Sequence, residues 1–379
     1  HLKNGDMLVL DLYSETRPQW GDPESTWLRK EGFNGHDWAF CMLLNFGGNV
    51  GLYGKLQHVV DEYYKARQSN FASTLKGVGL TMEGIENNPI MYELVSELPW
   101  RNNKFGWQEW LNSYVEARYG NINNTKVHDA WMLLARSVYG ASDKVLEQGC
   151  HESVLCARPA LDVYQVSSWS EMEEFYNPDD VIRAAQLMVE ASHEVKANAN
   201  FRYDLVDITR QAIAEKARYV YAEIVAAYRA KDRKMFDYTT RRFLDIILQQ
   251  DRLLSSMPDF MVGSWIRSAR NIGANIQESN HYEWNARVQI TTWGNRDAAE
   301  KGGLREYAHK EWNGVLADFY YPRWKAYFEA LADTFDGKPM KNIDFYAMDE
   351  AWTLKHNVYP YEAQGDAVEF AQKAAAEVL

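Results

Sequence analysis

The sequence predicts two parts of different fold class, an α/β part built on a parallel sheet and a larger all-helical part behind it. Short apolar runs typical of buried strands stand only within the first 85 residues. A helix-like segment lies between the second and the third of these runs. After about residue 100, apolar residues recur at helical spacing instead. We therefore divide the chain into residues 1–100 and residues 101–379.

The three apolar runs are the predicted strands, and they cover residues 7–15 (MLVLDLYSE), 38–48 (WAFCMLLNFGG) and 77–85 (GVGLTMEGI). Their apolar residues are nearly continuous rather than alternating, which is typical of parallel strands covered on both faces. Residues 51–70 then form the predicted crossover helix between the second and third strands. Because three such strands do not make a covered sheet alone, we expect further strands from sequence upstream of His1.

Polar residues and glycines end each predicted strand: Tyr13, Ser14 and Glu15; Asn45, Gly47 and Gly48; Glu83 and Gly84. Parallel barrels and doubly wound sheets collect their chemistry at the carboxyl ends of their strands. Glu83 and Glu15 are therefore both candidate catalytic carboxylates, and their spacing does not separate them. The simplest alternative is a solvated loop acid without a role.

The second part of the chain predicts helices throughout. Residues 107–120 and 127–140 each place apolar residues on one face and end on a glycine, a common helix stop. A long pattern over residues 203–232 spaces Leu205, Ile208, Ala212, Val220 and Ile224 as a stripe. Further helical patterns cover residues 234–255, 259–288, 305–332 and 366–379. We predict six to nine helices without a repeat of fixed period.

The composition excludes some partners and points to one. A net charge of −12 without any cluster of Lys and Arg argues against nucleic acid, and no apolar run is long enough to span a membrane. Aromatic residues make up 14% of the chain, with 14 Trp and 23 Tyr. These rings either pack between helices in the core or serve as platforms for the apolar faces of sugar rings.

The three cysteines do not make a disulfide framework. Cys41 is most simply a small core residue of a strand. Cys150 and Cys156 flank a short segment and are close enough in sequence to pair. A zinc site made by these two with His151 lacks a fourth ligand and a matching spacing, so we predict no metal site.

Four long motifs stand in order along the chain: FCMLLNFGGNVGLYGKL, GVGLTMEGIENNPIMYEL, FRYDLVDITRQA and YYPRW. With them, the chain from about residue 5 onward resembles the α-N-acetylglucosaminidases, family 89 of the glycoside hydrolases. The resemblance implies the C-terminal strands of a (β/α)8-type, TIM-like barrel, followed by a large all-helical domain that closes over the active site. It also implies release of terminal, non-reducing α-linked N-acetylglucosamine from a glycan, with retention of configuration.

The resemblance assigns the catalytic nucleophile to the Glu of the Glu-Gly-Ile motif, which is Glu83 here. The retaining mechanism needs a second carboxyl group, roughly 5–5.5 Å away, and no metal or cofactor. In the family this acid belongs to an Asn-Glu pair on an earlier barrel strand, and no Asn-Glu occurs in these 379 residues. We therefore expect the general acid to belong to a missing N-terminal part of the same enzyme, and the isolated chain to be inactive.

The resemblance also implies residues that surround the sugar. Leu12, Leu43 and Phe46 match the barrel pocket, although Leu12 and Leu43 alone would pass for core residues. Trp293 corresponds to a stacking platform, with Leu304 and Tyr307 as wall, and helix-end packing is the alternative for Trp293. His151 lies near a family pocket histidine in a loop that does not match residue for residue.

Asn45 is also a candidate sugar-binding residue, with capping of a helix start as its alternative. Asn123, Asn124 and Thr125 form a sequon that matters only in a eukaryotic secretory pathway. The resemblance implies a lysosomal protein in a eukaryote and a secreted, periplasmic or cell-surface protein in a bacterium. Two other functions remain open: a non-catalytic glycan-binding or scaffolding module, and a different sugar-active enzyme on the same plan.

Overall fold

The computed structural model describes residues 2–3, 5–22, 32–44, 46–84, 87–120, 124–142, 149–150, 152–168 and 174–379. The chain divides into two compact units. The first comprises His1–Asn121 and Trp131–Cys150, and the second comprises Ile122–Ala130 and His151–Leu379. The first unit holds a parallel sheet with its helices, and the second is helical. A mixed α/β part and a helical part are thus both present, as the sequence predicts.

The sheet of the first unit has three parallel strands in the order β1 (Leu8–Asp11), β2 (Asp37–Met42) and β3 (Leu75–Leu80). Each strand lies inside one of the predicted apolar runs or within two residues of it. The strands are shorter than those runs, because the polar residues and glycines at their ends leave the sheet as loops. In the register, Leu10 pairs with Ala39 and Cys41 pairs with Gly79.

The middle strand β2 forms the core of this unit, and α1 (Leu56–Gln68) packs against it. Phe40 is fully buried, and its ring meets the ring of Tyr63 from α1 edge to face at 5.7 Å. The strand β1 is different. Leu8 and Leu10 of this strand, and Leu12 directly after it, remain 53%, 50% and 56% exposed.

Three further helices complete the first unit, namely α2 (Pro89–Glu97), α3 (Trp107–Tyr119) and the second half of α4 (Thr125–Arg136). The ring of Trp110 stacks on Tyr114 at 5.2 Å, and Tyr114 meets Trp131 edge to face at 5.4 Å. This aromatic packing draws α3 and part of α4 into the first unit. The compact units therefore do not divide at residue 100, and the functional division at that point stays a prediction.

The second unit is built around one long helix. That helix, α6 (Ala199–Arg229), is buried along most of its first half, and helices on three sides pack on it. The remaining helices of this unit are α5 (Pro178–Val195), α7 (Arg233–Leu254), α8 (Val262–Arg270), α9 (Ile276–Gln289), α10 (Tyr321–Phe335), α11 (Phe345–Thr353) and α12 (Ala367–Val378). Among the described residues, ten α-helices begin after residue 100, one more than the predicted upper limit of nine.

Two predicted helices are interrupted. The pattern over residues 259–288 breaks into α8 and α9, because Asn275 caps α9 by accepting from the backbone N–H groups of Gln277 and Glu278. The pattern over residues 305–332 becomes helical only at a π-helical turn, Leu316–Tyr320, which leads into α10. Glu306 and Gly314 have φ angles of 59° and 86°, which a right-handed helix does not allow.

All three cysteines lie among the described residues as buried thiols, and none of them forms a disulfide, so Cys150 and Cys156 are not paired in this structure. Over the described part of the chain, no helix combines the length and the apolar character that crossing a membrane requires.

Candidate active site

The carboxyl ends of the three strands are tied together at one edge of the sheet. Thr81, directly after β3, donates its backbone N–H to the carbonyl of Met42 at 3.0 Å. Its hydroxyl donates to the carbonyl of Leu12 at 2.6 Å. Leu12 follows β1 and Met42 ends β2, so one residue joins all three strand ends. The loops that leave the sheet here are therefore held at a common origin.

Glu83 stands in the loop after β3 as an exposed carboxylate. Its Oε2 accepts a hydrogen bond from the backbone N–H of Gly47 at 2.6 Å. A short bond to a carboxylate is typical of charge-assisted hydrogen bonding, and it fixes one oxygen of the group. Gly47 belongs to the loop after β2, where its φ of 70° is a left-handed conformation that favours glycine.

Two glycines bring the loops after β2 and β3 into direct backbone contact. A Cβ placed on Gly84 would lie 2.9 Å from the Cα of Gly48, and a Cβ on Gly48 would lie 2.7 Å from the Cα of Gly84. Both distances are shorter than carbon–carbon contacts allow. The loop that carries Glu83 therefore sits against the loop that donates to it only because neither residue has a side chain.

A cavity of about 630 Å³ lies beside the strand β1. Leu12, Leu43 and Phe46 all line it, so the structure brings these three predicted pocket residues together. Tyr13 adds a fourth side chain, with its ring edge to face with Phe46 at 5.7 Å. Leu12 is more than half exposed and is not the core residue that its local sequence suggests. Asn45 lies outside the described residues.

Glu15, the other candidate acid, is 3% exposed. Its Oε1 accepts hydrogen bonds from the backbone N–H groups of Leu43 and Leu44 at 3.0 and 2.8 Å. Burial raises the pKa of this carboxyl to about 8, against the lowering effect of those amides and of Lys55. The structure thus separates two acids that the sequence treats alike, because Glu83 is exposed and Glu15 is enclosed.

In the helical unit, the predicted residues Trp293, Leu304 and Tyr307 lie together. The rings of Trp293 and Tyr307 meet edge to face at 4.9 Å, and both side chains are half-buried. The backbone N–H of Tyr307 donates to the carbonyl of Leu304 at 3.3 Å. Trp293 also stands at the end of α9, where its N–H donates to Val288 at 2.8 Å. Helix-end packing and a partly open aromatic surface are therefore both properties of this residue.

A buried ionic group supports the segment that carries Leu304 and Tyr307, and no pattern in the sequence predicts it. Glu306 accepts a hydrogen bond from Arg323 of α10, and both side chains are 1% exposed. Asp349 of α11 lies 3.7 Å from the same guanidinium. Arg158 bridges Asp349 and Glu300. Since truncating one member leaves a buried charge unpaired, such a group holds its backbone segment firmly.

Glu152 is another buried acid of the helical unit. Its carboxylate accepts from the backbone N–H groups of Val166 and Ser167, each at 2.8 Å, and from the Ser167 hydroxyl at 2.6 Å. Burial raises its pKa to about 8. His151, the weakly matched histidine that precedes it, lies outside the described residues. Within the described residues, no group of three or more His, Cys, Asp or Glu side chains is arranged to hold a metal ion.

Comparison with protein families accounts for nearly the whole chain. The family model "Alpha-N-acetylglucosaminidase (NAGLU) tim-barrel domain" matches residues 1–102. The model "Alpha-N-acetylglucosaminidase (NAGLU) C-terminal domain" matches residues 110–377. Alpha-N-acetylglucosaminidase of Homo sapiens is 34% identical over 376 residues, which are 97% of this chain and 48% of the human protein. The chain thus spans about half the length of that relative.

Solved structures agree with these matches. A family 89 glycoside hydrolase from Clostridium perfringens, in complex with PUGNAc, superposes with a TM-score of 0.91 at 31% identity, over 99% of this chain and 42% of that one. CpGH89 from the same organism, in complex with its substrate GlcNAc-alpha-1,4-galactose, superposes with a TM-score of 0.89 at 31% identity, over 97% of this chain and 41% of that one. From the two family models and these structural matches, the chain belongs to the α-N-acetylglucosaminidase family, family 89 of the glycoside hydrolases.

Proposed function

We propose that this chain is the C-terminal part of a retaining exo-glycosidase that releases terminal α-linked N-acetylglucosamine, with Glu83 as the nucleophile. One observation carries the assignment of Glu83. It is an exposed carboxylate at the end of a parallel strand, with one oxygen held by the Gly47 N–H at 2.6 Å. A nucleophile has to be accessible and fixed in direction, and this geometry meets both conditions.

The chemistry of the linkage explains why the protein supplies a nucleophile. In an α-linked N-acetylglucosaminide, the leaving oxygen and the 2-acetamido group are cis. The acetamido oxygen therefore cannot attack C1 from the opposite side, and the substrate-assisted route of some other glycosidases is closed. The Glu83 carboxylate attacks C1 as the glycosidic bond breaks, which forms a β-linked ester. Water then attacks the same carbon, and the sugar leaves with its original α configuration.

The second carboxyl group of this mechanism is proposed to lie outside these 379 residues, which contain no Asn-Glu pair. The exposed leucines at β1, which are Leu8, Leu10 and the following Leu12, support further barrel strands that cover this side of the sheet. General acid catalysis typically contributes ~10²–10⁴-fold, so residues 1–379 alone should hydrolyse 4-nitrophenyl α-N-acetylglucosaminide poorly or not at all. Supplying the remaining part of the enzyme in trans should restore hydrolysis. Full activity of the 379-residue chain alone would place the acid within it.

The helical unit is proposed to contribute Trp293, Leu304 and Tyr307 to the same sugar. The contact of the Trp293 and Tyr307 rings supports this, since half-buried aromatic faces are suited to the apolar faces of a pyranose. A wall of this kind would block the non-reducing side of the sugar and so restrict the enzyme to chain ends. We extend the proposal to the lysosome in a eukaryotic source, or to the periplasm, cell surface or medium in a bacterial one.

The test replaces Glu83 by alanine in the full-length gene product. Glu83→Ala should leave the fold intact and lower turnover of an aryl α-N-acetylglucosaminide by several orders of magnitude, because the covalent intermediate can no longer form. Azide should then restore part of the turnover and give the β-glycosyl azide. Glu109→Ala, which removes another exposed glutamate of the same unit, is the matched control.

Near-normal turnover by Glu83→Ala would assign the nucleophile to another residue. If the unsubstituted protein binds an N-acetylglucosamine-like inhibitor but hydrolyses no α-N-acetylglucosaminide, the chain is instead a glycan-binding module. Hydrolysis of a different glycoside would identify another sugar-active enzyme on the same plan.

A further inference from the structure

Glu15 is a buried acid whose side-chain Oε1 is bonded to one loop. It follows β1 by four residues, and its Oε1 accepts from two consecutive backbone N–H groups, those of Leu43 and Leu44. These residues come directly after β2, where the backbone has left the sheet. The carboxylate therefore satisfies two amides that no strand pairs with, in a place where a buried, unpaired N–H would be costly.

The loop after β2 needs such an anchor because its backbone is unusual. Leu44 has a φ of 74°, which is a left-handed conformation that a branched side chain rarely adopts. Gly47 and Gly48 continue in the left-handed region at 70° and 61°. A residue other than glycine stays in this region only when its surroundings hold it there. The two hydrogen bonds that Leu43 and Leu44 donate to Glu15 supply that constraint at the start of the loop.

Glu15 is itself held rigidly. Its backbone carbonyl lies 2.9 Å from Nε2 of His58, a residue of α1. The neighbouring Ser14 donates its N–H to the carbonyl of Cys41 in β2 at 3.0 Å. Lys55 donates from Nζ to the Thr16 hydroxyl at 3.0 Å. The carboxylate thus projects from a segment fixed on both sides, which is what a support for another loop requires.

The other end of the supported loop holds Glu83. Gly47 donates its N–H to Oε2 of Glu83 at 2.6 Å, and Gly48 is in backbone contact with Gly84. Leu43 and Phe46, which line the cavity beside β1, belong to the same loop. A displacement at the point where Glu15 holds the loop would therefore reach both the Glu83 carboxylate and the cavity wall.

We propose that Glu15 is a positioning residue for the glycosidase reaction, which acts by anchoring the loop after β2 that orients Glu83. This inference rests on the proposed role of Glu83 as nucleophile. It removes Glu15 as a second candidate nucleophile, since an acid that is enclosed and bonded to two amides cannot reach an anomeric carbon. What the reaction uses of Glu15 is its acceptor oxygen rather than its negative charge.

The state of the carboxyl supports that distinction. Burial raises its pKa to about 8, so the neutral acid is the main form below that pH. Cys41 and Tyr53 lie close enough to interact with the same group, and Lys55 opposes the rise of its pKa. The side chain of Gln has nearly the shape of the neutral acid and keeps Oε1 as an acceptor. Glu15→Gln should therefore preserve the two bonds to the loop, whereas Glu15→Met removes them at similar length.

The experiment measures kcat, KM and thermal unfolding of the full-length gene product with 4-nitrophenyl α-N-acetylglucosaminide, well below the unfolding temperature. Glu15→Gln should keep kcat within about fivefold of the unsubstituted protein. Glu15→Met should lower kcat about 10²-fold, the usual effect of misplacing a reacting group by about 1 Å, and azide should not restore it. If Glu15→Met does not fold, Glu15→Asp, which withdraws the acceptor by one methylene, takes its place with the same expected direction.

The control removes a comparable anchor in the helical unit. Asp251 is partly buried and, like Glu15, accepts two backbone hydrogen bonds at one oxygen. Its Oδ1 accepts from the N–H groups of Gly314 and Ala317 at 2.7 and 3.1 Å. Asp251→Leu should lower the unfolding temperature and leave kcat unchanged. Loss of kcat by several orders of magnitude in Glu15→Gln, with azide rescue, would make Glu15 the nucleophile and overturn the inference.

A lower unfolding temperature with unchanged kcat in Glu15→Met would also overturn it, because Glu15 would then only support the fold. These outcomes are distinct from a failure of the proposed function. If the unsubstituted protein does not hydrolyse the substrate, the assigned reaction is wrong. If it does, and Glu83→Ala is inactive, the Glu15 variants test the positioning role alone.

Discussion

The contact between Gly48 and Gly84 gives the most direct structural prediction of activity. Gly84→Ala would place a methyl group 2.9 Å from the Cα and 3.3 Å from the carbonyl oxygen of Gly48. Carbon atoms in ordinary contact are about 3.5–4.0 Å apart, so one of the two backbones has to move by roughly 0.6–1 Å. Because the obstacle is backbone rather than the end of a flexible side chain, no rotamer change relieves the clash.

The displacement should reach Glu83 rather than dissipate. Tyr92 and Asn87 both donate to the carbonyl of Gly84, at 3.3 and 3.4 Å, which restrains the loop on the far side. Movement by about 1 Å would lengthen the 2.6 Å bond from Gly47 to Glu83 to the limit of hydrogen bonding. Misplacing a reacting group by that amount typically costs about 10²-fold in kcat, or roughly 2.7 kcal/mol in the activation free energy.

The assay compares kcat and the unfolding temperature of Gly84→Ala with those of the unsubstituted full-length gene product. The unfolding temperature should fall, because the clash is with backbone and is relieved only by moving it, so kcat is compared well below the unfolding temperature of the variant. Gly106→Ala is the matched control, because its methyl group meets only the side chain of Gln108, at 3.4 Å. Unchanged kcat in Gly84→Ala would show that this backbone contact does not orient Glu83.

Two further predictions concern the helical unit. Trp293→Ala should weaken binding of an N-acetylglucosamine-like inhibitor roughly ten- to a hundred-fold by isothermal titration calorimetry, as expected for about 1–3 kcal/mol of buried ring surface, with little loss of stability; unchanged affinity would limit Trp293 to helix packing. Glu152→Gln should flatten the pH dependence of the free energy of unfolding. Because the pKa of Glu152 is raised, the folded state keeps a proton between about pH 4.5 and 8 while the unfolded chain loses it. The free energy of unfolding of the unsubstituted protein therefore falls by at most about 1.4 kcal/mol per pH unit as the pH rises through that range. The free energy of unfolding is measured by denaturant unfolding at several pH values. An equally steep fall in the variant would assign the pH dependence to other groups.

The sequence predicts those features that local pattern determines. The strands β1 to β3 are recognisable because residues covered on both faces must be apolar, as Phe40, Cys41 and Met42 are. The long helix α6 is recognisable because its apolar stripe follows the helical period. The predicted helical patterns do not include α5, although Asn177 and Pro178 are residues that commonly begin a helix.

Features that depend on contacts between distant segments are not visible in the sequence. The pattern over residues 305–332 reads as one helix. In the structure its first part is not helical, and long-range contacts hold that part in place, such as the buried pairings of Glu306 with Arg323 and of Glu311 with Arg210. Glu15 and Glu83 look alike as acids at strand ends. Their burial differs because residues 28 or more positions away enclose the first and leave the second open.

The same limit applies to the candidate site. The motif around Glu83 is recognisable as a family motif, whereas the approach of Gly48 to Gly84 joins residues 36 positions apart and has no local mark. The grouping of Trp293 with Tyr307 is likewise a property of the fold. The assignments of Trp293, Leu304, Tyr307, Asn45 and His151 to the sugar site stay predictions.

Glu83 is proposed to form the covalent bond to the sugar, and trapping that bond identifies the residue that carries it. A 5-fluoro N-acetyl-α-glucosaminyl fluoride would be incubated with the full-length gene product, since the fluorine slows hydrolysis of the intermediate while fluoride leaves readily. After proteolysis, mass spectrometry should find the added sugar on the peptide that contains Glu83, attached to Glu83 itself. A sugar attached to Glu15 or to any other carboxylate, in a protein that turns over the substrate, would contradict the account.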